Sequence, residues 1–330
     1  MMENKSMYLA NLNITFGVND EPLLKWLDEF VLPALTSGIK REIKSKNKKE
    51  PTRVLFKDVD VEEIENGELV LKGVIIKDTV LDIYNQLDEK EELVDDEQHP
   101  KSAPYSTFMI FLKNHRMVLV RRQAGSPDLR LFSSTLSEIL KKYRKQENKR
   151  RKEENIPYLP SPIVWLKGIK TDTTIKEVLN EVSRIKNVTL ILKPRNNENG
   201  GLDDLVDGLD NQILKIVCSK QLKLSINSPN SIEGVEKIIK EASPILETQL
   251  EVEYSDFDEE GNKQKSTARI KDNEIAQRIE IGIKGELKKA FREVYEHCKN
   301  IESLNVKTDN IVSYEKYLQK KREKDARKKE

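Results

Sequence analysis

Apolar residues along this chain change period several times, and each change marks an element. In "MYLANLNITFG" (Met7–Gly17), Tyr8, Ala10, Leu12 and Thr15-Phe16 alternate loosely and predict an opening strand. Leu23, Leu24, Trp26, Leu27, Phe30 and Val31 then recur at helical spacing, with Asp20 as the expected N-cap and Pro22 in the first turn. From Thr52 to Ile83 the pattern returns to strands, joined by the turn Glu65-Asn66-Gly67, an Asn-Gly hairpin signal. Residues 86–104 are acidic and turn-rich and are expected to be a loop.

A second hairpin follows, Tyr105–Leu112 and Met117–Val120 around Lys113-Asn114-His115. A Ser-capped helix comes next, with Leu136, Ile139, Leu140 and Tyr143 on one face. Its apolar stripe ends where a basic run begins, so the helix is expected to be anchored at its start and increasingly solvated at its end. "IPYLPSP" (Ile156–Pro162) then breaks it with three prolines in seven residues.

Beyond the prolines, strand and helix patterns alternate. Ile163–Leu192 and Leu222–Tyr254 each read as a βαβ-like unit, bridged by a helix around residues 205–217. Strands are expected over 248–257 and 266–281 around a turn at Glu260-Gly261-Asn262, then a last amphipathic helix burying Leu287, Ala290, Phe291, Val294, Tyr295 and Cys298. The fold class expected is α+β in two domains, the second a split βαβ, ferredoxin-like layer. The divisions fall at 1–135 (N-terminal α+β domain), 136–160 (basic helix and Pro-rich linker), 161–305 (ferredoxin-like domain) and 306–330 (basic tail).

Composition narrows the class. Over 330 residues, 37% are hydrophobic and 35% charged, enough apolar content for ordinary small cores beneath a very polar surface. No apolar run approaches the roughly 18–20 residues that span a bilayer. The N-terminus carries no basic-then-apolar secretory pattern, and Cys218 and Cys298 are too few for a disulfide framework. A cytoplasmic protein that does not itself span a membrane is the expectation.

Charge changes the picture more. Lys40–Arg53 holds seven basic residues and two acidic, Lys141–Lys152 eight and one, and Lys316–Glu330 eight and three. Together these stretches carry a formal +17, which leaves −16 for the rest of a chain whose net charge is +1. Such segregation points to a polyanion partner. The candidate phosphate contacts are Lys141, Lys142, Arg144, Lys145, Lys149, Arg150, Arg151 and Lys152, joined by Arg116, Arg121 and Arg122 beside the second hairpin, with His115 next to them. Helical projection spreads the first eight around most of the cylinder, so only some can face one ligand. Aromatic residues make up 6% of the chain, which favours duplex-backbone contact over single-strand stacking.

No catalytic constellation stands out. His99, His115 and His297 lie far apart, and Cys298 continues an apolar helix face, the position of a packed cysteine. Asp203, Asp207 and Asp210 would share a helix face able to hold Mg²⁺, although acidic residues in a first turn also answer the helix dipole. Glu286 and Lys288 lie in a helix rather than on a nuclease-type strand, and "DEEGNKQKST" lacks the ending of a phosphate loop. No metal and no cofactor are expected. Three readings follow: a non-enzymatic DNA-binding protein, a metal-dependent nuclease using Asp203, Asp204 and Asp207, and an interaction scaffold with solvated basic helices.

The hairpin "APYSTFMIFLKNHRMVLVRRQAGSPDL" (Ala103–Leu129), the capped helix after it and the βαβ-type second half resemble RexA-type phage-exclusion proteins and related proteins of bacterial phage-defence islands. The likeness is one of layout over Tyr8–Leu304 and transfers no individual residue. It implies a dimer of two-domain α/β chains binding double-stranded DNA with little sequence preference. It also implies a sensor or regulator role in anti-phage defence, shared with a partner effector protein that is often membrane-bound.

Overall fold

The computed structural model describes residues 2–44, 50–64, 67–87, 91–192, 213–214, 216–217, 219, 221–242, 246–257, 263–272, 276–304 and 311–327. The chain opens with β1 (Met2–Phe16) and a two-residue β2 (Glu21–Pro22). A continuous helical run follows: α1 (Leu23–Trp26), a π-helical turn (Leu27–Val31) and α2 (Leu32–Thr36). Then come β3 (Arg41–Ile43), β4 (Thr52–Glu63), β5 (Leu69–Val80), β6 (Ile83–Leu87), β7 (Leu93–Gln98), β8 (Lys101–Ser102), β9 (Tyr105–Phe111) and β10 (Arg116–Arg121). The long helix α3 spans Leu129–Glu153. After it run β11 (Pro162–Gly168), α4 (Asp172–Asn180), β12 (Arg184–Leu192), β13 (Leu222–Asn227), α5 (Ile232–Ala242), β14 (Glu247–Phe257), β15 (Lys263–Lys271) and β16 (Arg278–Lys284). Two helices close the chain, α6 (Phe291–Cys298) and α7 (Ile311–Arg327).

The fold is mixed α+β and mostly strand. A curled antiparallel sheet runs in the order β11-β1-β10-β9-β5-β4-β3, and β16, β2 and β8 extend it. The fifteen-residue β1 is its organising strand. Along one edge it pairs first with β16 (Met2–Tyr8) and then with β11 (Ala10–Phe16), while β10 lies on the other. Its alternation therefore serves two cores. Ala10, Leu12, Ile14 and Phe16 face α1–α2, α3 and α7, whereas Met7 and Leu9 face α6. Burial on both faces is why β9 and β10 read as nearly unbroken apolar runs. Phe56, Phe108 and Phe132 pack edge-to-face at 5.1–5.6 Å beneath α3. Gly73, opposite Phe108 in register, makes room for that ring: a Cβ there would lie 2.8 Å from the Phe108 Cζ.

A separate four-stranded antiparallel sheet, β13-β12-β14-β15, packs α4 and α5 over its own core of Ile175, Leu179, Val188, Leu190, Val235, Ile239 and Leu250. β13 and β14, linked through α5, flank β12 from either side.

Several expectations are corrected here. β11 and β12 lie in different sheets, so Ile163–Leu192 is no βαβ unit; hydrogen bonding to the open edge of β1 claims β11 instead. The strand expected over 266–281 divides, with β15 in the small sheet and β16 beside β1. The loop expected over 86–104 holds β7 and β8 and the end of β6. Asp20 adopts φ +49 and accepts from Thr15 rather than capping; the first helical turn begins at Leu23 without a side-chain cap. The cap of α3 is Asp128, whose carboxylate accepts from the Leu131 N–H at 2.7 Å, and Ser133 and Ser134 lie inside the helix. The last amphipathic stretch is interrupted by short 3-10 turns, yet Leu287, Ala290, Val294, Tyr295 and Cys298 are buried together as expected. The turn at 260–262 and most of the bridging helix over 205–217 lie outside the described residues.

Candidate nucleic-acid interface

Leu129, Phe132, Leu136, Ile139 and Leu140 anchor α3 on the large sheet, and the Tyr143 ring stacks on Phe30 at 6.0 Å. Beyond Tyr143 the inward face turns polar without leaving the protein. The segment after the helix folds back along it, and Leu159, 1% exposed, enters the core. Arg144 Nε donates to the Leu159 carbonyl at 3.0 Å. Asn148 Nδ2 donates to the same carbonyl at 3.1 Å, and its Oδ1 accepts from the Leu159 N–H at 2.7 Å. Arg151, 8% exposed, donates to the Pro157 carbonyl at 2.8 Å, Glu29 at 2.8 Å and Glu147 at 3.1 Å. Positions 144, 148 and 151 thus continue the buried stripe in polar form. The expected solvation of the helix end is corrected on this face, because carbonyls of the returning chain need donors.

The same contacts sort the eight candidate cations. Arg150 is held between Glu147 and Glu154 and, with Arg151, keeps the Glu147 carboxyl below the usual range. Lys142 donates to the Lys40 carbonyl at 3.0 Å and pairs with Glu138 at 2.8 Å. Arg144 and Arg151 serve the returning segment. The remaining four, Lys141, Lys145, Lys149 and Lys152, are exposed and have no ion pair among the described residues. Their spacing of four, four and three places them within about 80° of one another, a stripe about 16 Å long.

The other basic stretches meet the same helical layer. Arg41 bonds Ser134 and pairs with Glu138 at 3.2 Å, so the start of the Lys40–Arg53 stretch adjoins the N-terminal end of the stripe. Residues 45–49 of that stretch lie outside the described residues. α7 docks through buried Tyr314 and Tyr317; Tyr317 Oη donates to Asp28 at 2.6 Å, beside the Glu29 that Arg151 holds. α3 and α7 therefore flank one π-helical turn.

Arg116, Arg121 and Arg122 do not form the compact group that their spacing suggests. Arg116 is 3% exposed at one end of β10. At the other end Arg122 pairs with Glu3 at 2.7 Å. Arg121 is opposite Ser106, whose hydroxyl donates to the Pro127 carbonyl just ahead of α3, and Lys141 lies about 18 Å further along that helix.

Other chemistry is buried. His115, at φ +58 and 1% exposed, has its pKa pushed down to about 4 by burial and by the Arg116 charge, so it is neutral at neutral pH. Burial pushes the Cys298 thiol up to about 12, as suits a packed cysteine. Cys218 and the Asp203, Asp204, Asp207, Asp210 cluster lie outside the described residues. Among the described residues no group of His, Cys, Asp or Glu is arranged to hold a metal, and no helix is long and apolar enough to cross a membrane. One polar cluster escapes sequence reasoning. Lys170 Nζ donates to Asp272 Oδ1 at 2.7 Å and to Thr248 Oγ1 at 3.0 Å, and the Thr248 N–H also donates to Asp272 at 3.0 Å. Desolvation raises the Asp272 pKa against these donors. The pair ties the end of β11 to the small sheet; residues 102 apart carry no sequence signal of it.

In comparisons with family models, curated proteins and solved structures, nothing matches this chain. The resemblance to RexA-type proteins therefore rests on layout alone.

Proposed function

We propose that this protein binds the phosphate backbone of double-stranded DNA without sequence preference, and that it does so without catalysis. The observation that supports this reading is the exposed stripe of Lys141, Lys145, Lys149 and Lys152 on a rigid, core-anchored helix. Four ammonium groups on one side of one element neutralise neighbouring phosphates and release counterions, and such contacts position without reading bases. Lys40 and Lys44, exposed on the adjoining segment, extend the positive surface. Arg116 and Arg122 have no part in it.

In this reading the small sheet, whose β13, α5 and β14 form one split βαβ unit around β12, is a second domain. Its ties to the large sheet, including Lys170–Asp272, hold the two as a cytoplasmic sensor or regulator of anti-phage defence. That role comes from the layout resemblance and entails a partner effector.

An electrophoretic mobility series on duplex DNA at rising salt tests the binding. The expected result is a shift at about 50 mM salt that fades steeply by about 200 mM, alike for unrelated sequences. No shift at low salt, or a shift that Lys141, Lys145, Lys149 and Lys152→Glu leaves intact, overturns it.

A further inference from the structure

β5 is an apolar run from Leu69 to Ile76, broken only at Gly73, which makes room for Phe108, and at Lys72. Lys72 faces the α6 side of the sheet opposite Met109, one row away from Glu62, Val70 and Phe111. Its side chain is 21% exposed, pairs with Glu62 and holds its Nζ 4.8 Å from the centre of the Phe291 ring. A cation at an inward position of a central strand is uncommon, because its charge loses water there. Here a cleft reaches it from the surface.

The cleft has a volume of about 470 Å³, within the range of small-molecule sites. It exists because α6 is short. The apolar layer beneath α6 draws on β16, β1, β10 and β9 but on β5 only at Val70, so α6 does not roof the outer part of this face. Val70 and Met109, each at most 1% exposed, form the floor, and Phe291 and Tyr295 form one wall.

The two ends of the cleft differ in charge. α6 starts over the Lys72–Met109 row, where Phe291 meets Lys72, and runs toward the Val70–Phe111 row, where Tyr295 lies 6.3 Å from Phe111. Lys72, Lys289 and Arg292 therefore gather at one end. Glu63 lies at the other, opposite Leu69 and about 10 Å along β5 from Lys72. Arg292 is exposed and has no ion pair among the described residues. Lys289 pairs with Glu286 at the surface, where such pairs are weak. Glu62 and Glu63 already hold Lys72 and Arg322, so the surplus charge in the cleft is positive.

We propose that this cleft binds a purine mononucleotide. The phosphate lies against Lys289 and Arg292, whose guanidinium can hold it by two parallel bonds, and the Lys72 charge adds to the attraction. The ring packs on Val70 and Met109 beside Phe291, and its amino edge donates to the Glu63 carboxylate. An anionic group about 10 Å from an N–H edge, joined by a flat body, satisfies both ends of the cleft. An inorganic anion or an aliphatic carboxylate satisfies only one. A longer polyanion is disfavoured, because Glu62 and Glu63 repel further phosphates. The cleft lies on the face of the sheet opposite α3 and shares no residue with the lysine stripe, so it does not depend on the DNA reading.

Calorimetric titration of the full chain with AMP and with GMP tests this, beside ribose phosphate, which lacks the base, and adenosine, which lacks the phosphate. Saturable binding of one nucleotide per chain is expected, with both truncated compounds at least about tenfold weaker. Arg292→Ala and Lys72→Met are each expected to weaken binding about tenfold with unchanged circular dichroism. Arg292 is exposed, so its replacement leaves the fold intact. Charge reversal of Lys141, Lys145, Lys149 and Lys152 to Glu is expected to leave nucleotide binding as in the wild type. No saturable heat with either nucleotide at about 1 mM, ribose phosphate as tight as the nucleotides, or binding that is lost with the stripe and kept in Arg292→Ala overturns the proposal. Binding of AMP or GMP by a chain that gives no shift with duplex DNA leaves the cleft standing and removes the DNA reading alone.

Discussion

Asn148 holds Leu159 by both of its backbone polar atoms, accepting from the N–H at 2.7 Å and donating to the carbonyl at 3.1 Å. A side-chain amide here does what a neighbouring strand would do, and it seats an apolar residue in the core at the point where the chain turns back along α3. Asn148→Ala leaves both Leu159 groups without this partner and is expected to lower stability by about 1–3 kcal/mol. Leu159→Ala is expected to cost about 2–5 kcal/mol. Urea unfolding checks both: the midpoint falls while the slope stays constant.

The basic residues of α3 divide into two groups with opposite phenotypes. Single Ala substitutions at Lys141, Lys145, Lys149 or Lys152 are expected to leave stability within about 0.5 kcal/mol of wild type and to lower the salt slope of DNA binding by about one phosphate each. Arg151→Ala is expected to destabilise by about 1–3 kcal/mol, because the Pro157 carbonyl loses this donor and Glu29 and Glu147 lose an ion-pair partner, and to leave that slope unchanged. Parallel unfolding and salt-titration series separate the groups.

Lys170 and Asp272 are expected to be strongly coupled. Either charge removed alone leaves the other buried, so Lys170→Met or Asp272→Leu should cost about 3–5 kcal/mol, and the two changes combined should cost less than the two singles together. Gly168→Ala should destabilise the same junction, since a Cβ there would meet the Ala276 Cβ at 2.5 Å and the Asp272 carbonyl at 2.9 Å. A double-mutant cycle in urea reads the coupling.

His115 gives the fold an acid sensitivity of predictable sign. The unfolded chain takes up its proton near pH 6.5, whereas the folded chain resists until about pH 4. Between those values the unfolded state binds more protons, so stability falls as pH drops through the window, by about 3 kcal/mol in all. His115→Asn keeps a residue type that tolerates φ +58 and should flatten this part of the pH profile. An unaltered slope between pH 4 and 6.5 would show that other groups set it.

Much of this protein follows from local patterning. The strands of the second hairpin, the apolar face of α3 from Leu136 to Tyr143 and the buried face around Val294, Tyr295 and Cys298 are all written in periodicity, because a side chain's direction along a helix or strand depends only on its neighbours in sequence. Segregated charge was equally legible, and with it the choice of α3 as a candidate surface. Two things required the tertiary structure. One is which strands pair: β11 and β16 follow β1 because an open edge of backbone donors and acceptors accepts any strand that reaches it. The other is which cations remain free. Arg144 and Arg151 are claimed by the Leu159 and Pro157 carbonyls, fifteen and six positions further along the chain, Lys142 by Lys40, and Arg150 by Glu147 and Glu154, so a run of eight equivalent charges becomes a stripe of four. Burial periodicity is a local property, whereas the satisfaction of each donor and acceptor depends on contacts between distant parts of the chain.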